Sequence, residues 1–304
     1  MWSWLPLSML AALLVQAPPS QQSQRPVGPL DSLRSSIGTR VSQVKGAVVA
    51  VAILDLQTGD SLFVNADESF HAASTMKVPV MIELFRQIDA GRWRLDQKVP
   101  LANQFESIVD GSTYSLNAAD DSDSSAYGLV GQNVAIRDLL DRMITRSSNL
   151  ATNALIGLVD AKQANATAHA LGAKNIRVLR GVEDGKAFRA GLNNTTTARD
   201  LAALLAAIEK GRAASRASCD AMIDVLSRQE FNTEIPAGLP PGTKVAHKTG
   251  WISGVLHDAA IVYPPGRKPY VLVVLTRDIP DVSNARPLIA DISRLVYTHV
   301  MQPR

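Results

Sequence analysis

The chain has 304 residues, of which 46% are hydrophobic and 19% charged, with a formal net charge of +3. That balance excludes a disordered or fibrous chain, and the length suffices for one large or two closely joined domains. Arginine and lysine are scattered, with no basic run and no interleaved aromatics, so nucleic-acid binding is not expected.

Leu5 to Val15 is an apolar run followed by Val15-Gln16-Ala17, which predicts an export signal over residues 1–17 and a periplasmic or secreted product. About 11 apolar residues fall short of the roughly 20 a spanning helix needs, so no stable membrane span is expected. Residues 18–29, rich in Gln, Pro and Ser, read as a flexible lead-in. Leu30, Leu33, Ile37, Val41 and Val44 then recur at helical spacing up to Lys45-Gly46. Strands are predicted over Ala47 to Leu54 and Ser61 to Val64, joined by Thr58-Gly59-Asp60. Asp120-Asp121-Ser122-Asp123 lies in the polar stretch from Phe105 to Val130. Counted from Asp121, the sixth and twelfth positions are Ala126 and Gln132, where a calcium loop needs Gly and Glu, so a solvated acidic loop is expected. Ile136, Leu139, Leu140 and Met143 make one helical stripe; Leu201, Leu204, Leu205 and Ile208 make another, capped by Thr197. Cys219, the only cysteine, falls at a helical core position. Strands return at Lys244 to Trp251, His257 to Tyr263 and Tyr270 to Thr276, and Leu288, Ile292, Leu295 and Val296 mark a last helix. Strands at both ends with helices between predict a lobe closed by distant segments (about 30–73 and 236–304) around a helical lobe (about 74–235). A cleft between two such lobes is a favoured ligand site.

Three short motifs stand in one order. Ser74-Thr75-Met76-Lys77 has a decoy, Ser42-Gln43-Val44-Lys45. Ser42 falls at a helix C-terminus, whose carbonyls oppose a developing oxyanion. Ser74 precedes the apolar run Val78 to Phe85 and so opens a helix, where free N–H groups favour negative charge. Lys77, one turn on, lies beside it. Ser147-Ser148-Asn149 sits between helical stretches, whereas the competing Ser115-Leu116-Asn117 has no helix after it. Lys248-Thr249-Gly250 lies on a predicted strand between His247 and Trp251.

Together these motifs resemble those of the serine β-lactamase and penicillin-binding protein superfamily, most closely class A β-lactamases. The resemblance runs from about Gln43 to the C-terminus, with an insertion of about a dozen residues between the first two motifs. It implies an α+β fold: a five-stranded antiparallel sheet flanked by terminal helices, with an all-helical lobe. It implies that Ser74 is the nucleophile and Lys77 its base, the amine being neutralised by burial and by the charge of Lys248. Ser147 then passes a proton to the leaving nitrogen, Asn149 binds the substrate's acylamino group, and Lys248 and Thr249 hold its carboxylate. Gly250 lets substrate approach the strand edge, and the N–H groups of Ser74 and Trp251 form an oxyanion hole. Arg277 and Arg286 are candidates for a third carboxylate contact. The resemblance further implies a small β-lactam or peptidoglycan-like substrate and no cofactor.

The chain departs from the family at three places. The motif that usually reads Ser-Asp-Asn has Ser148 at its centre. The glutamate expected on the omega-shaped loop two residues after Arg180 falls on Val182, with Glu183 one step later. The aspartate that usually closes that loop is Asn194. Glu183 is the candidate base for the water that clears the acyl-enzyme. If it faces away, a D-alanyl-D-alanine peptidase, penicillin-binding protein or esterase with slow release is implied instead. A non-catalytic module that binds peptidoglycan fragments or senses β-lactams is the third reading. No G-x-S-x-G elbow is present, and the five histidines form no metal-ligand set.

Overall fold

The computed structural model describes residues 1–2, 29–279 and 281–302. The expected signal and lead-in fall almost wholly on residues 3–28, outside the described residues. Among the described residues no helix is long and apolar enough to cross a membrane.

Five strands form one antiparallel sheet: β1 (Val48–Asp55), β2 (Ser61–Val64), β3 (Lys244–Ile252), β4 (Val255–Tyr263) and β5 (Tyr270–Arg277), in the order β2-β1-β5-β4-β3. This is the expected α+β architecture, with strand ends within two residues of those predicted. N- and C-terminal segments meet in the centre, where Val51 of β1 opposes Val274 of β5.

Alternation along the strands explains how both faces are buried. Val49, Val51 and Ile53 of β1, with Leu272 and Val274 of β5, pack under α1 (Pro29–Ser42) and the last helix, Val282–Val300. Ala50 and Ala52, with Val271, Val273 and Leu275, face the central helices. Helices α7 (Ala198–Glu209) and α8 (Arg216–Ser227) lie against this inner face, so part of the segment expected in the helical lobe also covers the sheet. Thr197 caps α7 as predicted, its hydroxyl accepting from Asp200 N at 3.1 Å. Cys219 is buried in the core.

The centre of the molecule is α2 (Lys77–Asp89). Ten of its thirteen residues are buried, among them Val78, Val80, Met81, Ile82, Leu84 and Phe85. A helix buried along most of its length, polar residues included, belongs inside a large core rather than on a surface. It follows directly on a 3-10 turn, Ala73–Met76, which carries Ser74. Helices α3 (Ile136–Thr145), α4 (Asn149–Val159) and α5 (Ala161–Ala170) pack around α2. The lobe expected to be all-helical also carries short strand pairs, Lys98–Pro100 with Asn133–Ala135 and Phe105–Glu106 with Thr113–Tyr114. These brace the long insertion that periodicity cannot resolve.

Candidate active site

The three motifs converge on one cleft of about 600 Å³, lined by Ser74, Asn149, Val182, Glu183, Phe188 and Trp251 among others. Ser74 sits at the start of the run into α2, after Ala73, whose φ of 45° is a left-handed conformation rare for alanine. That kink aims the turn at the cleft. Among the described residues neither Ser74 Oγ nor Ser74 N makes a hydrogen bond, so both remain available to a ligand. The decoy Ser42 ends α1 and bonds Thr39 O, on the far side of the sheet.

Lys77 and Lys248 are both fully buried. Lys77 Nζ donates to Ser147 O at 2.6 Å, Ser147 Oγ at 3.1 Å and Asn149 Oδ1 at 3.1 Å. Lys248 Nζ donates to the same Ser147 Oγ at 3.1 Å and to Thr249 O at 2.9 Å. Two amines thus share one hydroxyl. Burial, then the neighbouring Lys248 charge, hold Lys77 well below the ordinary lysine range, while Asp121 and Glu183 oppose the shift. Burial pushes Lys248 down to about 7, partly opposed by Asp258 and Glu234. Ser147 has φ 58°, a second strained residue at the site.

Sheet register places the third motif. Lys248 opposes Ala259, Gly250 opposes His257 and Trp251 opposes Leu256 of β4. Thr249 is buried, whereas Trp251 is 61% exposed at the cleft mouth. The structure adds a second reason for glycine at 250. A Cβ there would lie 2.9 Å from Ser74 N and 3.0 Å from Thr75 N, so the absent side chain lets β3 abut the nucleophile's turn. Behind Lys248, His247 Nδ1 lies 2.9 Å from Asp258 Oδ1, and Nε2 lies 3.2 Å from Asn232 Oδ1. Arg277 and Arg286 do not line the cleft. Arg277 pairs with Glu68 and stacks over Phe70, and Arg286 lies 3.5 Å from Glu234.

The omega-shaped loop holds its course by side-chain bonds to backbone. Asn153 Nδ2 donates to Val182 O at 3.0 Å and its Oδ1 accepts from Val182 N at 2.7 Å. A Cβ on Gly181 would lie 2.5 Å from Asn153 Oδ1, so this latch requires glycine there. Val182 is therefore clamped where the family pattern has its glutamate. Glu183 follows at φ 60° and reaches into the cleft, accepting from Asn149 Nδ2 at 2.5 Å. Partial burial raises its pKa above the usual carboxylate range, although the Asn149 bond and the Lys77 charge oppose this. Asn194 replaces an ion pair with three amide contacts: its Oδ1 accepts from Leu179 N at 2.8 Å and Arg180 N at 3.3 Å, and its Nδ2 donates to Arg180 O at 3.0 Å. The Arg180 guanidinium instead bonds Leu192 O, Gly181 O and Asn193 Oδ1.

The acidic loop is not solvated as expected. Asp121 and Asp123 are buried. Asp123 pairs with Arg142 at 2.5 Å. Asp121 Oδ2 accepts from Asn149 N at 2.9 Å and Leu150 N at 3.0 Å, the first amides of α4. Sequence reading missed Asp121; the signal available was the absent acid at Ser148, which leaves that helix start short of a carboxylate. Among the described residues no cluster of His, Cys, Asp or Glu could hold a metal ion.

Known proteins resemble this chain in sequence and fold. A β-lactamase of Amycolatopsis lactamdurans is 28% identical over 265 residues, spanning 86% of this chain and 83% of that protein. The crystal structure of a β-lactamase from Sphaerobacter thermophilus is 28% identical at a TM-score of 0.75, covering 89% of this chain and 99% of that one. PBP-A is 30% identical at a TM-score of 0.76, covering 90% and 97%. Residues 32–300 match the beta-lactamase enzyme family, and the chain belongs to that family.

Proposed function

We propose that this enzyme is a serine β-lactamase, opening the cyclic amide through an ester on Ser74. The observation that carries the reading is the single hydroxyl, Ser147 Oγ, held by the amines of both Lys77 and Lys248, in a turn whose Asn149 lines the same cleft as Ser74. Charged Lys77 spends its three N–H groups on the 147–149 turn; neutral, it has two and a lone pair for the Ser74 proton. Burial and Lys248 favour that neutral form. As Ser74 Oγ bonds the carbonyl carbon, the oxyanion falls to the N–H groups of Ser74 and Trp251, where each donor contributes about 3 to 4 kcal/mol in comparable sites. With two lysines donating to its oxygen, Ser147 passes its own proton to the departing ring nitrogen and takes back from the Lys77 ammonium the proton that came from Ser74. Lys248 and Thr249 take the substrate carboxylate, and Asn149 the acylamino group. Deacylation then needs water, which Glu183 activates. The cleft lies where the sheet lobe (30–73 and 236–304) meets the helical lobe (74–235), and the leading apolar run directs the protein to the periplasm or exterior.

Val182 under the Asn153 latch favours a second reading, a penicillin-binding protein whose ester is released slowly. A variant of PBP-A is described as an acyl-enzyme complex with penicillin G. Mixing the protein with a chromogenic cephalosporin while following adduct mass at Ser74 separates the readings. Sustained turnover supports the β-lactamase, a long-lived adduct the second reading, and the absence of any adduct overturns both.

A further inference from the structure

Asp121 belongs to none of the three motifs and lies 26 residues before Ser147, yet it is 7% exposed and fully engaged. Its Oδ2 takes Asn149 N at 2.9 Å, Leu150 N at 3.0 Å and the Tyr127 hydroxyl at 3.2 Å, and stands 3.5 Å from Ser148 Oγ; its Oδ1 takes Asp123 N at 3.0 Å. Every one of those bonds ends on the turn that carries Ser147 and Asn149 or on the 105–130 segment itself. Ser148, at the centre of the motif, caps only Ala151 N, at 3.3 Å. Burial and the Asp121 charge push the Tyr127 phenol above its ordinary range, so it stays a donor to the carboxylate.

We propose that Asp121 is a positioning residue for the reaction at Ser74: the polar 105–130 segment supplies, from outside the motif, the fixed carboxylate that clamps the 147–149 turn, a charge that Ser148 does not carry. Two consequences follow from one charge. Bonds to successive amides at the start of α4 hold Ser147 and Asn149 against Lys77. The charge also acts on Lys77 itself, which feels Lys248 of β3, Glu183 of the omega-shaped loop and Asp121 of the 105–130 segment. Lys248 favours the neutral amine; Glu183 and Asp121 oppose it.

This inference rests on Lys77 acting as base, and the acid limb of the pH profile tests it. Asp121→Asn keeps a carbonyl acceptor and removes the charge. With one of two opposing carboxylates gone, the acid limb of kcat/KM moves to lower pH, by about one unit. At neutral pH kcat/KM falls by about 100-fold because the turn shifts. Asp121→Asn/Ser148→Asp returns a carboxylate to the turn and restores the wild-type limb. A purely structural cap lowers the rate but leaves the limb in place, and a folded Asp121→Asn with an unmoved limb overturns the proposal. If Asp121→Asn does not fold, the double variant decides: a wild-type limb supports the charge role and a displaced limb overturns it. Failure of the functional reading looks different, because the wild type itself then shows no turnover and no Ser74 adduct.

Discussion

The two walls of the cleft are built by different means. The inner wall joins the start of α2, the 147–149 turn and β3. Its lysines are fully buried, sheet pairing sets the positions of Lys248, Thr249 and Gly250, and a buried carboxylate holds the 147–149 turn. The outer wall, from Arg180 to Thr197, is a loop whose path depends on Asn153, Asn194 and Asp184 bonding to backbone amides and carbonyls. Its reactive candidate, Glu183, is solvent-accessible, at φ 60° and tethered by one amide. The contrast matches the two halves of the proposed reaction. Acylation needs preorganised charge out of water, which a sheet edge and a buried helix start hold without reorganisation. Hydrolysis needs water admitted beside a carboxylate, which a loop at the rim allows.

Four measurements break or sharpen that contrast. Ser74→Ala removes the inner wall's reactive atom; turnover of a chromogenic cephalosporin falls by about 10⁴-fold or more and mass labelling disappears. Labelling that survives at another residue ends the assignment. Glu183→Gln keeps an oxygen for Asn149 but removes the base, so acylation proceeds and the adduct persists, with release slowed by about 10² to 10⁴. A release rate equal to wild type removes Glu183 from the mechanism.

The third measurement uses pH. Lys248, lowered to about 7 by burial, carries charge below that value and loses it above. KM for a penicillin bearing its free carboxylate therefore rises above pH 7, by up to about tenfold per unit, while a neutral ester analogue shows no such rise. A flat KM for the free acid means that Lys248 does not hold the carboxylate. Gly250→Ala gives the smallest effect: its Cβ meets backbone at 2.9 and 3.0 Å, so β3 or the Ser74 turn must move. Overpacking of this kind costs about 1–3 kcal/mol, a drop of several degrees in Tm. An unchanged Tm shows that the strand edge is not pressed against the nucleophile.

Legibility differed between the walls in the same sense. The strands of the sheet, the helix opening at Ser74 and the lysine on β3 follow from local pattern, and the structure places them as expected. Glu183 could be numbered but not aimed, because its direction depends on a left-handed residue after Val182 and on a latch from Asn153, 29 residues earlier. Asn194 read as a lost ion pair, yet its amide closes the loop by both accepting and donating. Asp121 read as a solvated acid because its partners lie 28 and 29 residues away, on α4.

The amino-acid order alone determined the strands, the helix that follows the nucleophile, and which residue types could do acyl transfer, since periodicity and motif spacing act over a few residues. Only the folded chain decided that two lysine amines share one hydroxyl, that Gly250 serves the approach of β3 to Ser74, and that the 105–130 segment lends its carboxylate to α4. Those are contacts between distant segments, and burial makes them matter: out of water, each charge answers to whatever the fold brings within a few ångströms.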